Sequence, residues 1–302
     1  MPELPEVQTI VNDLKKKIRG QRITGIWFDT PKLIKKPRPQ ELERQIKGLK
    51  ITAIKRRGKN ILIYLSQQST VNSQQLLLIH QKLTGHLLLG KWKIKKTTNN
   101  KQQVISLFKG SLEERVNNYI HLIFYLDSGW QLALSDLRKF AKVLLASKEE
   151  IENLPELKKL GPEPLDKNFT FAQFKILIGS EKRKIKQVLM GQEVIAGIGN
   201  IYSDEILWQA KIHPFKPANH LTEKELKILW LAMRQILKKA VRLRGTSTSD
   251  YRDTAGKPGA YTRTRLVYQR EDEPCQRCQN LIKRIKIGGR SAHFCPKCQK
   301  NV

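Results

Sequence analysis

The sequence predicts an α+β protein: a first half made mostly of strands and opened by one helix, a helical second half, and a small metal-stapled end. Three observations carry this prediction. Apolar and β-branched residues fill three strand-like runs at 50–66, 74–94 and 119–136. Beyond a Pro/Gly-rich stretch at 154–166 the apolar spacing becomes helical. All four cysteines fall in the last 28 of 302 residues, as two CxxC pairs.

The opening helix is read at 5–18, where Val7, Ile10, Val11, Leu14 and Ile18 share one face and Pro5 sits in the first turn. Within the third strand run, Asp127-Ser128-Gly129 marks a hairpin turn. Pro155, Gly161, Pro162 and Pro164 then break any regular element, as a linker does. Thr170 and Gln173 form a capping box for FAQFKILIG, ending at Gly179. Thr222 and Glu225 repeat the device before a long helix with Leu226, Leu229, Trp230, Met233, Leu237 and Ala240 on one face. Gly245 reads as the residue just past its end, and polar 246–268 reads as a long loop running into a strand.

Charge narrows the partner. There are 57 lysines and arginines against 27 aspartates and glutamates, a formal +30 at pH 7. A compact chain with that surplus repels itself, so a polyanion partner, nucleic acid first, is expected. A membrane surface is the rival, but no basic amphipathic segment has an aromatic-rich face. No run of about 18 apolar residues and no secretory signal is present, which places the chain in the cytoplasm.

Cys275 and Cys278, then Cys295 and Cys298, are separated by sixteen residues, the spacing of a four-cysteine zinc site. Disulfides are the competing reading and fit poorly without an export signal. Four protein ligands leave no open position, so the zinc is structural. His293 is read as structural or surface. Between the pairs lies KRIKIGGRSAHF (283–294), a basic hairpin turning at Gly288-Gly289; it either presents Arg290 to a phosphate or is plain charged surface. In VLMGQEVIAGIGNIYSDEILW (188–208), Gly197 and Gly199 precede a helix N-terminus. That is either an ordinary helical corner or a phosphate grip in which Asn200 hydrogen-bonds the backbone.

The terminus MPELPE permits two readings. Pro and Glu suit a helix start on conformational and dipole grounds. Removal of Met1 is expected, and it would make Pro2 a secondary amine, with an α-amino pKa near 7.7–8.0. Such an amine can attack an electrophilic sugar carbon, with Glu3 and Glu6 the nearby carboxylates.

Taken together, PELPEV (2–7), RRGKN (56–60), the H-x-x-L-T-G segment from His80 to Gly85, D-x-R-K-F from Asp136 to Phe140, LGPEPL (160–165), GIGNIYSDEILW (197–208), GKPG (256–259) and GGRSAHFCPKCQ resemble the formamidopyrimidine-DNA glycosylases from end to end. The resemblance implies an N-terminal β-sandwich domain (1–154) opened by a helix, a linker (155–168), a helix-two-turn-helix domain (169–268) and a zinc finger (269–302), with segment 246–268 as a lesion-capping loop. It implies a monomer acting on double-stranded DNA that carries an oxidised base, with one structural Zn²⁺. Pro2 would attack C1′ and form a Schiff base, Glu3 would move the proton that opens the sugar, and β- and δ-elimination would nick the strand. Lys59, the family's strand lysine, would sit near the damaged nucleotide, and Asn200 and Arg290 would grip flanking phosphates. Leu83, Arg138 and Phe140 would fill the gap left by the flipped nucleotide, and Glu6 and His121 complete the DNA-contact set.

The chain departs from the family pattern at four places. Gln8 stands where many members have Glu, Leu83 replaces a methionine, Lys82 replaces a glycine, and Asn118-Tyr119 replaces a Lys-His pair, leaving His121 as the retained histidine. Two other readings stand beside the purine-lesion enzyme. One is an endonuclease VIII-like glycosylase for oxidised pyrimidines, against which Leu4 and the long capping loop argue. The other is a non-catalytic zinc-finger DNA-binding protein, against which intact Pro2, Glu3 and Lys59 argue.

Overall fold

A computed structural model describes residues 2–67, 74–96 and 102–300, and the chain divides into two compact units. The first comprises Met1–Lys158 with Arg244–Ala260, the second Lys159–Leu243 with Tyr261–Val302.

In the first unit, helix α1 (Leu4–Lys17) starts at a capping box in which Glu6 faces back onto Glu3. Pro5 needs no hydrogen-bond partner there, and Lys15, Lys16 and Lys17 complement the dipole at the far end. The order continues β1 (Ile23–Phe28), β2 (Ile34–Lys36), α2 (Pro39–Ile46), β3 (Lys50–Arg57), β4 (Asn60–Ser66), β5 (Gln75–His80), β6 (His86–Gly90), β7 (Trp92–Lys96) and β8 (Gln102–Ser106). Then come β9 (Ile120–Leu126), β10 (Gln131–Ser135), β11 (Lys142–Ser147), α3 (Lys148–Glu152) and α4 (Pro155–Lys158).

The strands build a four-stranded sheet β1-β9-β10-β6 and a five-stranded sheet β2-β11-β5-β4-β3. Alternate residues of both, such as Leu122, Phe124 and Leu134 against Ile61, Ile63 and Leu77, meet in one core, which also holds Val7, Ile10, Val11 and Leu14 of α1. The opening helix is therefore fastened by the sandwich core itself. The three expected runs resolve as the β3–β4 hairpin, as β5, β6 and β7, and as β9–β10 turning where the Gly129 N–H donates to the Leu126 carbonyl at 2.9 Å.

The second unit holds α5 (Phe171–Gly179), α6 (Ile185–Met190), α7 (Asn200–Ala210), α8 (Glu223–Arg242) and the hairpin β12 (Lys283–Ile287)–β13 (Arg290–Phe294). Both expected capping boxes form, with Gln173 N–H donating to Thr170 Oγ1 at 3.3 Å and Glu225 N–H to Thr222 Oγ1 at 3.3 Å. α8 buries the six apolar residues read on its inner face. Its Trp230 packs against Phe169 and Phe174.

Two expectations are corrected. The residue after α8 that takes the left-handed conformation is Arg244 (φ +62°), and Gly245 (φ +79°) follows it. Segment 246–268 does not run into a strand: it passes through one short 3₁₀ turn, Tyr261–Thr264, and the next strand begins at Lys283. Moreover, its 246–260 portion packs with the first unit, not with the helices it was grouped with. No helix among the described residues is long and apolar enough to cross a membrane.

Candidate active site and nucleic-acid interface

Pro2 and Glu3 are buried rather than frayed. The Glu3 N–H donates to Glu6 Oε2 at 2.7 Å, and Glu6 Oε1 accepts from the Thr246 N–H at 2.7 Å. One buried carboxylate thus joins the N-terminal tip to a segment 240 residues away. Gly245 is required for this approach, because a Cβ there would lie 2.7 Å from Glu6 Oε1. Further along α1, Asp13 accepts from Arg244 Nη2 at 2.5 Å and from Thr254 Oγ1 at 2.9 Å. Asp253 accepts from Arg244 Nε at 2.8 Å. Segment 244–260 is strapped along the helix that carries Pro2.

Lys59 is buried and lies in the tight turn between β3 and β4, after Gly58 (φ +55°), where Arg57 pairs with Asn60. It was expected on a strand; the chain reverses one residue before the ladder resumes. Arg56 fixes this turn to α1: its Nη1 donates to the Gly58 carbonyl at 2.8 Å and its Nε to Gln8 Oε1 at 2.9 Å. The neutral Gln8 therefore serves as an acceptor for Arg56, in place of a carboxylate.

His80, not among the expected site residues, pairs with Asn60 across the β4–β5 ladder. Burial, then the charges of Lys82, Lys59 and Lys142, push its imidazole down to about 3, so it is neutral at pH 7. Its Nδ1 accepts from the Lys82 N–H at 2.9 Å. The sequence signal for it was the histidine opening H-x-x-L-T-G. Lys82, at the family's glycine, holds a left-handed φ of +55°.

Leu83, Arg138 and Phe140 are displayed by one buried carboxylate. Asp136 accepts from the Thr84 hydroxyl next to Leu83, and from the N–H groups of Arg138 (3.3 Å), Phe140 (2.7 Å) and Ala141 (2.7 Å). Phe140 is 51% exposed, with the Arg138 guanidinium 4.8 Å from its ring centroid. An apolar, a cationic and an aromatic side chain thus stand on two turns joined through Asp136 and Thr84. His121 is buried, with Nδ1 2.8 Å from Asp29 Oδ1; burial pushes that carboxyl up, but His121 and Thr30 outweigh it and hold it below its ordinary value.

In the second unit Asn200 is the first residue of α7. Its Oδ1 has no hydrogen-bond partner among the described residues. Beneath it lies Lys186, fully buried, whose Nζ donates to Asp204 Oδ1 (2.6 Å), Ser203 Oγ (3.1 Å) and the Asn200 carbonyl (3.4 Å). Asp204 also accepts from the His293 N–H at 3.0 Å, making His293 structural and tying β13 to α7. Arg290 is exposed just after the Gly288-Gly289 turn and lines a cavity of about 430 Å³ with Arg183, Lys186 and Gln187. Glu205 accepts from the N–H groups of Leu266 (2.8 Å), Val267 (2.9 Å) and Tyr268 (2.9 Å) and from the Tyr261 hydroxyl (3.1 Å). Burial pushes its carboxyl up against these four bonds.

The four cysteine sulfurs lie within 4.8 Å of one another. Tetrahedral zinc with Zn–S near 2.3 Å places sulfurs about 3.8 Å apart, so the residues fit one structural Zn²⁺. The Trp208 indole N–H donates to Cys275 Sγ at 3.3 Å, and Arg277 stacks on that indole at 3.6 Å. Burial pushes the Cys275 thiol up, but N–H donors from Arg277, Trp208 and Cys278 bring it to about 7, whereas burial pushes the Cys295 and Cys298 thiols up.

Fold and site together define a zinc-finger protein built to handle DNA. Residues 1–143 match the formamidopyrimidine-DNA glycosylase N-terminal domain, 160–252 the formamidopyrimidine-DNA glycosylase H2TH domain, and 272–301 the zinc finger found in FPG and IleRS. The formamidopyrimidine-DNA glycosylase of Desulforamulus reducens is 36% identical over 301 residues, 99% of each chain. That of Carboxydothermus hydrogenoformans is 37% identical over 300 residues, covering 99% of this chain and 100% of the relative. A complex of Lactococcus lactis Fpg with abasic-site DNA superposes with a TM-score of 0.82 at 32% identity, covering 99% of this chain and 100% of that one. A complex of the same enzyme with oxidised-pyrimidine DNA gives 0.82 at 33%, with the same coverage. The chain belongs to the formamidopyrimidine-DNA glycosylase family.

Proposed function

We infer that the chain is a bifunctional DNA glycosylase and AP lyase of base-excision repair that removes oxidised purines, 8-oxoguanine and formamidopyrimidines, from double-stranded DNA. The observation that carries the site assignment is the buried Pro2–Glu3 tip, held by Glu6 and joined through α1, Gln8 and Arg56 to the Lys59 turn. A terminus fixed this firmly suits a nucleophile that must reach one carbon of one nucleotide.

Met1 lies outside the described residues, and its removal frees the Pro2 amine. The nitrogen lone pair forms the N–C1′ bond as the glycosidic bond breaks; the base departs with the glycosidic bond's electron pair and takes up the proton that the now positively charged Pro2 nitrogen gives up. Glu3 delivers a proton to the ring oxygen, which opens the sugar to the iminium. Loss of the 3′ and then the 5′ phosphate follows by β- and δ-elimination. Lys59 and neutral His80 lie where the damaged strand's phosphate would pass; Asn200 and Arg290 hold the flanking phosphates. Leu83, Arg138 and Phe140 occupy the vacated stack, and His121 contacts the backbone. The enzyme acts as a monomer, in the cytoplasm on the nucleoid. The functional divisions are the sandwich to about residue 154, the linker, the helical domain from 169 and the finger from 269, with 246–268 as the lesion cap.

Borohydride trapping on a duplex with 8-oxoguanine opposite cytosine tests this. A covalent adduct is expected with the processed chain, and a drop of at least about 10³-fold in trapping and excision with Pro2→Gly or with Met1 retained. A parallel duplex carrying an oxidised pyrimidine decides the second reading, suggested by the pyrimidine-lesion complex of the Lactococcus lactis relative. No adduct on any oxidised base would sink the enzyme reading.

A further inference from the structure

The β7–β8 ribbon is unused by the proposed chemistry. Trp92 and Val104 pack onto the outer face of the four-stranded sheet with Leu88, Ile123 and Ala133. Alternation along β7 therefore turns Lys93 and Lys95, and Lys91 just before the strand, to the opposite, outward side. Across the ladder Lys93 pairs with Ile105 and Lys95 with Gln103, and the Leu107 N–H donates to the Lys91 carbonyl at 2.8 Å. Neither strand carries an acid. At the base of this face the rings of Phe108 and Trp130 stack, with centroids 5.6 Å apart and planes 28° from parallel. Leu107 (53%), Phe108 (38%) and Trp130 (39%) are unusually exposed for residues of their size. Asp127 is the one acid in the turn before Trp130.

The aromatic base of this surface lies apart from the candidate site, although the β8 edge, Gln102–Ser106, lines a cavity with Asp29, Glu113 and His121. Trp130 follows the β9–β10 turn, whereas His121, Arg138 and Phe140 belong to the other end of that hairpin, about 20 Å away at ~3.3 Å per residue.

We propose that this lysine–aromatic ribbon is a second nucleic-acid contact, which takes an unpaired DNA strand. Lys91, Lys93 and Lys95 lie about 6.8 Å apart along one strand edge and meet successive backbone phosphates. The exposed ring pair offers a stacking face to a base, a combination that binds single strands with little sequence preference. An acidic protein segment would satisfy the lysines but leave two stacked aromatic faces without a flat partner. Only the class of partner, DNA, leans on the function proposed above.

The test uses the full chain, zinc-loaded and presaturated with a duplex carrying a tetrahydrofuran abasic analogue. Anisotropy of a labelled oligothymidylate of about fifteen nucleotides then reports the second site. The oligothymidylate is expected to bind the presaturated protein. Lys93→Ala/Lys95→Ala should weaken it about tenfold and flatten the salt dependence by about 1.4, at ~0.7 per phosphate contact. Trp130→Ala should weaken it about tenfold and Trp130→Phe should restore it. Excision from a duplex should be unchanged in all three. Loss of oligothymidylate binding on presaturation, or wild-type binding by every variant, overturns the proposal, as does preferential capture of a polyglutamate peptide of equal charge.

Discussion

The N-terminal tip and the cysteine finger both hold a working group still, but by different physics. The tip is fastened by a sandwich core and a buried carboxylate, Glu6, whose partners are backbone N–H groups of Glu3 and Thr246. The finger contributes few apolar side chains, and its convergence rests on four thiolates, with Trp208 and Asp204 fastening it to α7. Burial and hydrogen bonds persist whenever the chain folds, whereas thiolates without a metal repel one another. One anchor is therefore intrinsic to the fold and the other conditional on zinc.

Zinc removal should break this symmetry most. Free energies of about 10–16 kcal/mol bind structural zinc in small fingers, far more than the finger's own core supplies. Treatment with a strong chelator is expected to make residues 269–302 protease-sensitive and to lower duplex affinity by more than about tenfold as Arg290 is released. The β-sheet circular dichroism of the first unit should survive. A finger that stays protease-resistant with far less than one zinc per chain would erase the distinction drawn here.

Glu205 and Glu6 sharpen the comparison at the level of single carboxylates. Glu205→Ala strands three N–H groups and a tyrosine hydroxyl, and Glu6→Ala strands two N–H groups. At about 1–3 kcal/mol per unsatisfied buried group, discounted for local relaxation, losses of roughly 4 and 2–3 kcal/mol are expected in denaturant unfolding. Only Glu6→Ala should also cut Schiff-base trapping beyond its effect on stability. Equal trapping by the two variants at matched folded fraction would remove Glu6 from the site.

What the sequence revealed follows the range of each contact. Capping pairs Thr170/Gln173 and Thr222/Glu225, the CxxC knuckles and the Gly288-Gly289 turn join residues two to four apart, so their chemistry is written locally. The Glu6–Thr246 and Glu205–Val267 bonds span 240 and 62 residues, and no spacing announces them. Composition marked 246–268 as a loop but held no information on which body it packs with. The end of α8 was misread by one residue for a similar reason. Arg244 takes the left-handed position because Asp13 and Asp253 hold its guanidinium, and Gly245 is needed next for its clearance from Glu6. The family motifs name Leu83, Arg138 and Phe140 as candidates, but no motif announces the neutral state of His80, which depends on burial and three lysines.

That neutral state gives a smaller, pH-dependent effect within the first unit. His80 sits at about 3 when folded, against an ordinary value near 6.5, so the unfolded chain binds more protons between those limits. Its contribution to stability is complete above pH 6.5 and is lost as pH falls through that window. The melting temperature should drop between pH 7 and pH 5 by more in the wild type than in His80→Gln. The His80 Cε1 proton shift should stay flat from pH 7.5 to 5. A midpoint near 6.5 would show the imidazole solvated and far from the lysines.

The smallest effect concerns Lys82, where this chain has a side chain at a left-handed φ of +55°. Such a conformation costs a non-glycine residue about 1–2 kcal/mol, while glycine would add about 0.5–1 kcal/mol of unfolded-state entropy. Lys82→Gly is therefore expected to stabilise the first unit by up to about 1 kcal/mol. The N–H that donates to His80 Nδ1 would remain, since it belongs to the backbone. Removing the ammonium also removes the largest of the charges that depress His80, so the imidazole should titrate higher in the variant. A melting temperature that falls, with His80 unmoved, would mean that Lys82 holds the turn through its side chain.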